Sequence, residues 1–333
     1  MMDKISSIYN SSIQSIENSS NGVVNGVLSG FDKLDQITNG FQNSELIVIG
    51  GRPSMGKTSL AVSLAIKIGA NSKDTLGIFS LQMPVYQFVS RMISQETGFS
   101  ALKLKKGELE KHEWEILHTR TKNIKEAPIY LQHSHCMNIN EIIMTCNELV
   151  EKKQVKCILI DKLQLIEPLP SDYKFNNREQ EINKVVIKLK QTALKLNIPI
   201  ILFSDLNRSV EGRGGSKRPL LSDLRDSGQI ENEADIVAFI YRPEQYRIAE
   251  WDDDESSSTS GEAELCIKKH NVGEFHNIKL SFNSMTGKFD SLSKKISSKF
   301  DNMSDDPFSD IGTKQEFVFG SSFHNLENDD IPF

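Results

Sequence analysis

The 333-residue chain predicts an α/β fold, with a mostly parallel central sheet flanked by helices and an antiparallel addition at one edge. Three observations carry this expectation. Short apolar runs bounded by turns recur from Leu46 onward. Helix-length segments separate the earlier runs, and two alternating runs follow each other closely near the end. Strands buried on both faces read as continuous apolar stretches, and their alternation with helices marks parallel crossover connections.

In chain order, residues 1–24 are rich in Ser and Asn and place Ile5, Ile8, Ile13 and Ile16 at helical spacing. That pattern predicts a short amphipathic, linker-like helix, followed by the loop Asn18 to Gly22. Such a helix has to cover a groove or dock on a neighbour. The apolar runs ELIVIG, LGIFSL, APIYLQ, KCILID, IPIILFS and DIVAFIY read as buried strands. Helices are expected over Thr58 to Gly69, Val85 to Thr97, Ile139 to Lys153 and Arg178 to Leu196. EAELCIKKH and HNIKLSF, with a turn near Thr286 and Gly287, form the expected antiparallel edge. Glu211 to Arg218, Gly-rich and basic, and Trp251 to Gly261, acidic and Ser-rich, read as mobile. After about Ser291 periodicity is lost, which predicts a disordered acidic tail. The expected organisation is therefore a segment 1–24, a domain 25–290 and a tail 291–333, without internal repeats.

Composition narrows the function classes. Hydrophobic residues make up 38% of the chain, enough for a substantial core. A net charge of -6 excludes a protein coated in positive charge, although one basic loop suffices for contact with nucleic acid. Cys136, Cys146, Cys157 and Cys266 show neither C-x-x-C nor Cys/His ligand spacing, as expected of buried thiols in a reducing compartment. No basic stretch precedes an apolar core at the N-terminus, and no apolar run approaches the ~18 residues of a membrane helix. A cytoplasmic location without a membrane partner is the default.

The strongest chemical signal is GRPSMGKT at residues 51–58, between the strand ELIVIG and a helical pattern. Gly51 and Gly56 let the backbone of Arg52, Pro53, Ser54 and Met55 turn its N–H groups inward as a nest for phosphate oxygens. The helix starting near Lys57 adds the positive end of its dipole. Lys57 is the expected partner of β- and γ-phosphates, and Thr58 that of Mg²⁺. A metal-holding acid belongs at the end of a neighbouring strand, where KCILID ends on Asp161. The expected ligands are ATP and Mg²⁺, with Thr58 and Asp161 at the metal.

Beyond this site, SGFDKLDQITNGFQNSELIVIGGRPSMGKT, SLQMP, LIDKLQLI, SDLNRSVE and KRPLLSDLRDSGQIENEADIVAFIYR closely resemble the helicase domain of DnaB-family replicative DNA helicases. The resemblance runs in order from about Leu28 to Phe289, without the family's helical N-terminal domain. It implies a RecA-like P-loop NTPase fold, a hexameric ring with ATP at subunit boundaries, and single-stranded DNA in the central channel, unwound 5′ to 3′. Arg225, Asp226 and Gly228 fall in the loop that meets the DNA backbone in this family. Arg208, Arg213, Lys217 and Arg218 add positive charge in a Gly-rich stretch, as a further DNA contact or as a plain solvated loop.

Three positions depart from the family's catalytic pattern. Gln82 stands where a glutamate activates the attacking water, and an amide cannot accept a proton. Asp205 stands where the family has glutamine, and a carboxylate there is expected to repel the γ-phosphate. In KKHNVG, Lys269 aligns with a lysine offered to the next subunit's ATP, and Asn271 with its arginine finger, for which a neutral amide is no substitute. The resemblance thus implies a ring helicase subunit that binds ATP securely and hydrolyses it slowly. The alternative is a non-catalytic regulator that loads onto or caps a helicase ring in a hetero-assembly.

The chain ends in ENDDIPF. This resembles the acidic tip of bacterial single-stranded-DNA-binding proteins, which implies docking of replication proteins through Phe333, its carboxylate and the preceding acids.

Overall fold

The computed structural model of the chain describes residues 5–20, 24, 26–135, 137–168, 178–213, 217–224, 228–252, 257–271 and 273–292. The chain divides into Met1–Leu292 and Ser293–Phe333, and the expected tail lies outside the described residues.

After helix α1 (Ile5–Ser20) and α2 (Asp32–Thr38), the first sheet strand is β1 (Leu46–Gly51), followed by α3 (Lys57–Ala65). Next come β2 (Leu76–Ser80), α4 (Val85–Thr97), α5 (Ala101–Lys106), α6 (Lys111–Arg120), α7 (Lys122–Glu126) and β3 (Ile129–His133). A short β4 (Met137–Asn138) leads into α8 (Ile139–Lys153) and β5 (Cys157–Asp161). Then follow β6 (Ile166–Glu167), α9 (Arg178–Leu196), β7 (Ile200–Asp205), α10 (Ser209–Gly212), α11 (Gly228–Glu233) and β8 (Ile236–Tyr241). The last strands are β9 (Glu262–His270), β10 (His276–Asn283) and β11 (Lys288–Ser291).

Nine strands form one sheet in the order β11-β10-β9-β8-β1-β7-β5-β2-β3. The six from β8 to β3 are parallel, and β9, β10 and β11 join antiparallel. This is the expected parallel sheet with an antiparallel edge. β4 and β6 pair separately.

The sheet divides the core into two layers, and strand alternation assigns each side chain to one of them. Ile47 and Ile49 of β1 and Ile201 and Phe203 of β7 face α3 and α4, with Leu60, Leu64, Phe88 and Met92. Leu46, Val48, Ile200 and Leu202 face α8 and α9, with Ile142, Val186 and Leu189. Because both faces are covered, these strands are apolar throughout.

Local signals fix several ends. Asn138 accepts hydrogen bonds from the N–H groups of Asn140 and Glu141, while its own N–H donates to the Glu141 carboxylate, capping α8. Gly98 ends α4 in the left-handed conformation. The helix expected over Thr58 to Gly69 begins one residue earlier and gives way to a π-helical turn over Ile66–Asn71. There Gly69 packs directly on β3, since a Cβ on it would lie 2.4 Å from Ile129. Helices α5, α6 and α7 have no counterpart among the sequence expectations. Their only buried residue is Glu113, and with almost nothing buried there is no apolar period to read.

Parts of both segments expected to be mobile, residues 214–216 and 253–256, lie outside the described residues. Their flanks are committed internally: Arg213 pairs with Asp223, and Arg218 with Asp252 and Glu264.

Candidate functional site

The strands β1, β7, β5 and β2 end at one level. Gly51 pairs with Asp205, and Ser80 pairs with Asp161. Everything that follows these ends therefore converges on one edge of the sheet, where the N-terminus of α3 also points. Between β1 and α3 the backbone turns through positive φ at Ser54 (66°) and Gly56 (97°). A Cβ on Gly56 would lie 2.9 Å from two ring carbons of Phe289, so both the backbone and the neighbouring ring require glycine there.

A cavity of about 310 Å³ opens at this edge. Pro53, Ser54, Gly56, Lys57 and Thr58 supply the loop side, with Gln82, Lys162 and Asp205 opposite. Arg91 of α4, together with Arg242 and Phe282, completes the wall. The Met55 side chain is instead part of the core, and Arg52 turns away. It donates to the Leu206 carbonyl (2.9 Å) and to Glu211 (3.0 Å), bracing the loop from behind.

Lys57 is buried. Its ammonium donates to the carbonyls of Gly51 (2.7 Å) and Arg52 (3.1 Å) and pairs with Asp205 Oδ1 (3.0 Å). Burial pushes its pKa down, and the Asp205 carboxylate opposes that shift. Asp205 also pairs through Oδ2 with Lys162 Nζ (2.6 Å), while its N–H donates to Gln164 Oε1 (3.0 Å). Burial pushes the Asp205 carboxyl up, but the Lys162 hydrogen bond and the Lys57 charge prevail and hold it below the usual carboxylate range. The carboxylate expected to act as a bare source of repulsion is thus neutralised by two lysines.

Asp161 is fully buried, and neither of its carboxylate oxygens has a hydrogen-bond partner within ordinary distance. Burial raises its pKa, and the Thr58 hydroxyl, Lys57 and Lys162 offset this only in part. A buried carboxylate without partners is costly unless something satisfies it. The residue is followed by a cis peptide bond to Lys162.

Other sequence-selected residues lie elsewhere. Lys269 pairs with Val237 near the start of β8 and donates to the carbonyls of Glu231 (2.7 Å) and Asn232 (3.2 Å). Asn271 donates to Asp235 Oδ1 (2.9 Å). Both sit at the opposite strand ends, about 17 Å from the cavity by strand rise, beyond reach of the cavity in their own chain. Arg225 and Asp226 lie outside the described residues. Gly228 begins α11, and a Cβ there would meet nothing within 4 Å, so no neighbour in this chain requires a glycine.

Sequence reasoning missed Arg91, Lys162, Arg242 and Phe282. Two carried a local signal: Lys162 directly follows the strand-ending acid, and Arg91 directly precedes the buried Met92 on the helix after Gln82. Phe282 carried none, because it reaches the loop only through the antiparallel edge. Arg242, just past the end of the parallel strand β8, meets it there with its guanidinium 3.7 Å from the centre of the Phe282 ring.

A second, mostly apolar cavity of about 650 Å³ lies between α4, α5 and α6, lined by Tyr86, Ile93, Leu104, Leu109, Trp114 and Leu117 among others. Arg91 borders both cavities. On α1, Ile5, Ile8, Tyr9, Ile13 and Ile16 are exposed.

Residues 26–291 match the sequence model of the family described as DnaB-like helicase C terminal domain. The chain is 35% identical over 275 residues to the replicative DNA helicase DnaB of Geobacillus stearothermophilus, covering 83% of this chain and 58% of that protein. It is 38% identical over 272 residues to the probable replicative DNA helicase of Trieres chinensis, covering 81% of this chain and 58% of that one. The chain thus spans less than two thirds of the length of these relatives. Among solved structures, the ATPase domain of G40P superimposes with a TM-score of 0.79 at 31% identity, covering 88% of this chain and all of that one. A DnaB-like replicative helicase, described with its interactions with primase, superimposes with a TM-score of 0.75 at 31% identity over 88% of this chain and 68% of that one.

Proposed function

Because this chain belongs to the family of DnaB-like helicase C-terminal domains, we propose that it is an ATP-binding, ring-forming subunit acting on single-stranded DNA, and that it turns ATP over slowly. One observation carries the nucleotide reading. The buried Asp161 carboxylate, with no hydrogen-bond partner within ordinary distance, lies close to Thr58 and Lys57, which line the cavity at the N-terminus of α3.

The residues fit both ligands. The loop N–H groups and the α3 dipole receive phosphate oxygens, and Lys57 adds a full charge. Mg²⁺ takes hard oxygen donors, and the Thr58 hydroxyl with the Asp161 carboxylate supplies them. A bound ion neutralises charge on the phosphates. Arg91 and Arg242 line the same cavity and face the incoming anion. Gln82 orients a water by hydrogen bonds without taking its proton, which is the reason for slow turnover.

Assembly follows from two unmatched surfaces. Helix α1 exposes an isoleucine stripe, and the cavity between α4, α5 and α6 is apolar. In this reading α1 of one copy fills that cavity on the next, in a ring that is hexameric by family resemblance. Lys269 and Asn271, remote from their own cavity, then face a neighbour's nucleotide. Arg225, Asp226 and Gly228 line the channel toward DNA, where several copies together supply what one acidic chain lacks. Among the described residues no helix is long and apolar enough to cross a membrane.

Gln82 and Asn271 favour a second reading, a regulator that joins a helicase ring without hydrolysing ATP. A steady-state ATPase assay with and without single-stranded DNA separates the two. Slow, DNA-stimulated turnover supports the motor, and none at all supports the regulator. MgATP binding unaffected by Lys57→Ala would remove the nucleotide site from both. The ENDDIPF terminus is the proposed dock for replication proteins, and deleting Ile331 to Phe333 should abolish that docking while ATP still binds.

A further inference from the structure

An ammonium group has three N–H donors, and on Lys57 each one has an acceptor: the Gly51 carbonyl, the Arg52 carbonyl and Asp205 Oδ1. The side chain is only 8% exposed, so these three partners are its main ones. A phosphate oxygen arriving at Lys57 therefore has to displace one of the three. The carbonyls belong to the loop's own turn and are fixed by it. Asp205 is different. It comes from another strand, it is charged as a phosphate is, and it lines the cavity that the phosphates would enter.

Asp205 also has somewhere to remain. Its second oxygen is 2.6 Å from Lys162 Nζ, and its backbone N–H is held by Gln164, which itself donates to Ser204 Oγ (2.9 Å). Once Lys57 leaves, the carboxylate keeps a cation beside it and is not stranded. The exchange then costs one ion pair and not a buried bare charge.

We infer that Asp205 is an internal competitor for the nucleotide's phosphates. It occupies their place on Lys57 in the ligand-free protein, yields that lysine when ATP enters, and stays on Lys162. It thereby sets the affinity of the site downward. The inference rests on the nucleotide-binding reading above and deepens it by naming the residue that tunes affinity.

The test is calorimetric titration of MgATP into the full chain for wild type, Asp205→Asn, Asp205→Glu and Lys57→Ala, with melting curves of each. Replacing the carboxylate by an amide removes the competitor, so Asp205→Asn should bind MgATP about tenfold more tightly. The same variant should melt earlier without nucleotide, because Lys57 loses its charged partner, and should gain more from added MgATP than wild type gains. Asp205→Glu keeps the charge and should bind no more tightly than wild type. Unchanged or weaker binding by a folded Asp205→Asn, with Lys57→Ala abolishing it, overturns the competitor and leaves the nucleotide site standing. A tighter Asp205→Glu overturns it too, since charge would then not be the cause. Should Asp205→Asn fail to fold, Asp205→Gln takes its place under the same criteria. If no folded variant binds MgATP, the nucleotide reading falls and the inference with it.

Discussion

The edge of the sheet that carries the loop between β1 and α3 and the helical flank formed by α4, α5 and α6 differ in how far they are finished. At the edge several charged groups pair within their own chain, Lys57 with Asp205, Asp205 with Lys162 and Arg52 with Glu211, while the Asp161 carboxylate has no hydrogen-bond partner within ordinary distance. Beneath it both faces of β1 and β7 are buried. On the flank Tyr86 and Trp114 stay 68% and 45% exposed, around an apolar cavity that no segment of the described chain fills. Charge needs its partners at close range, and these pairs form within the subunit. Apolar surface can wait for a neighbour, because a helix carried by another copy covers it equally well. Stability should therefore reside in the first region and assembly in the second.

The largest expected contrast is between one residue of each region. Phe203 is fully buried, and Phe203→Ala should cost about 3–5 kcal/mol in chemical denaturation. Trp114→Ala should change the unfolding free energy by less than ~1 kcal/mol, while shifting the chain toward monomer in sedimentation. A Trp114→Ala variant that unfolds as easily as Phe203→Ala would erase the distinction between the regions. Next in size, Lys57→Ala should lower MgATP affinity by about a hundredfold or more and leave the oligomeric state of the ligand-free protein unchanged. Loss of assembly in that variant would show that the two regions are coupled, with Arg91, which borders both cavities, as the first residue to substitute.

Smaller effects sharpen the chemistry. Gln82→Glu with Asn271→Arg should raise DNA-stimulated ATP turnover about tenfold or more, because a proton acceptor and a guanidinium return together. No gain in the double variant, with binding intact, would place the limit elsewhere. Arg225→Ala should weaken single-strand binding modestly and reduce the slope of log affinity against log salt by about 0.7 for each phosphate that is no longer neutralised. An unchanged slope would take that loop out of the DNA path.

The difference between the two regions also explains what could be read before folding. The strands β1, β2, β5, β7 and β8 were legible because burial on both faces makes them apolar without interruption. Lys57, Thr58 and Asp161 were legible because spacing and strand ends locate them. Helices α5 to α7 were not, since a short helix with almost nothing buried leaves no period. Asp205 was legible as a departure, but its pairing with Lys162 was not, because that partner stands 43 residues away in sequence.

By itself, then, the sequence determined the layered α/β class, the glycine loop between β1 and α3 and the acid at the end of β5, since each is set by local periodicity or by residues a few positions apart. Tertiary structure alone decided which charges meet. Strand order lays β7 between β5 and β1 and so brings Lys162 to Asp205 and Asp205 to Lys57. The antiparallel edge returns Phe282 and Phe289 to the loop between β1 and α3, where Gly56 leaves room for the Phe289 ring. Ion pairs depend on distance in space and not on distance along the chain, so no reading of local pattern could supply them.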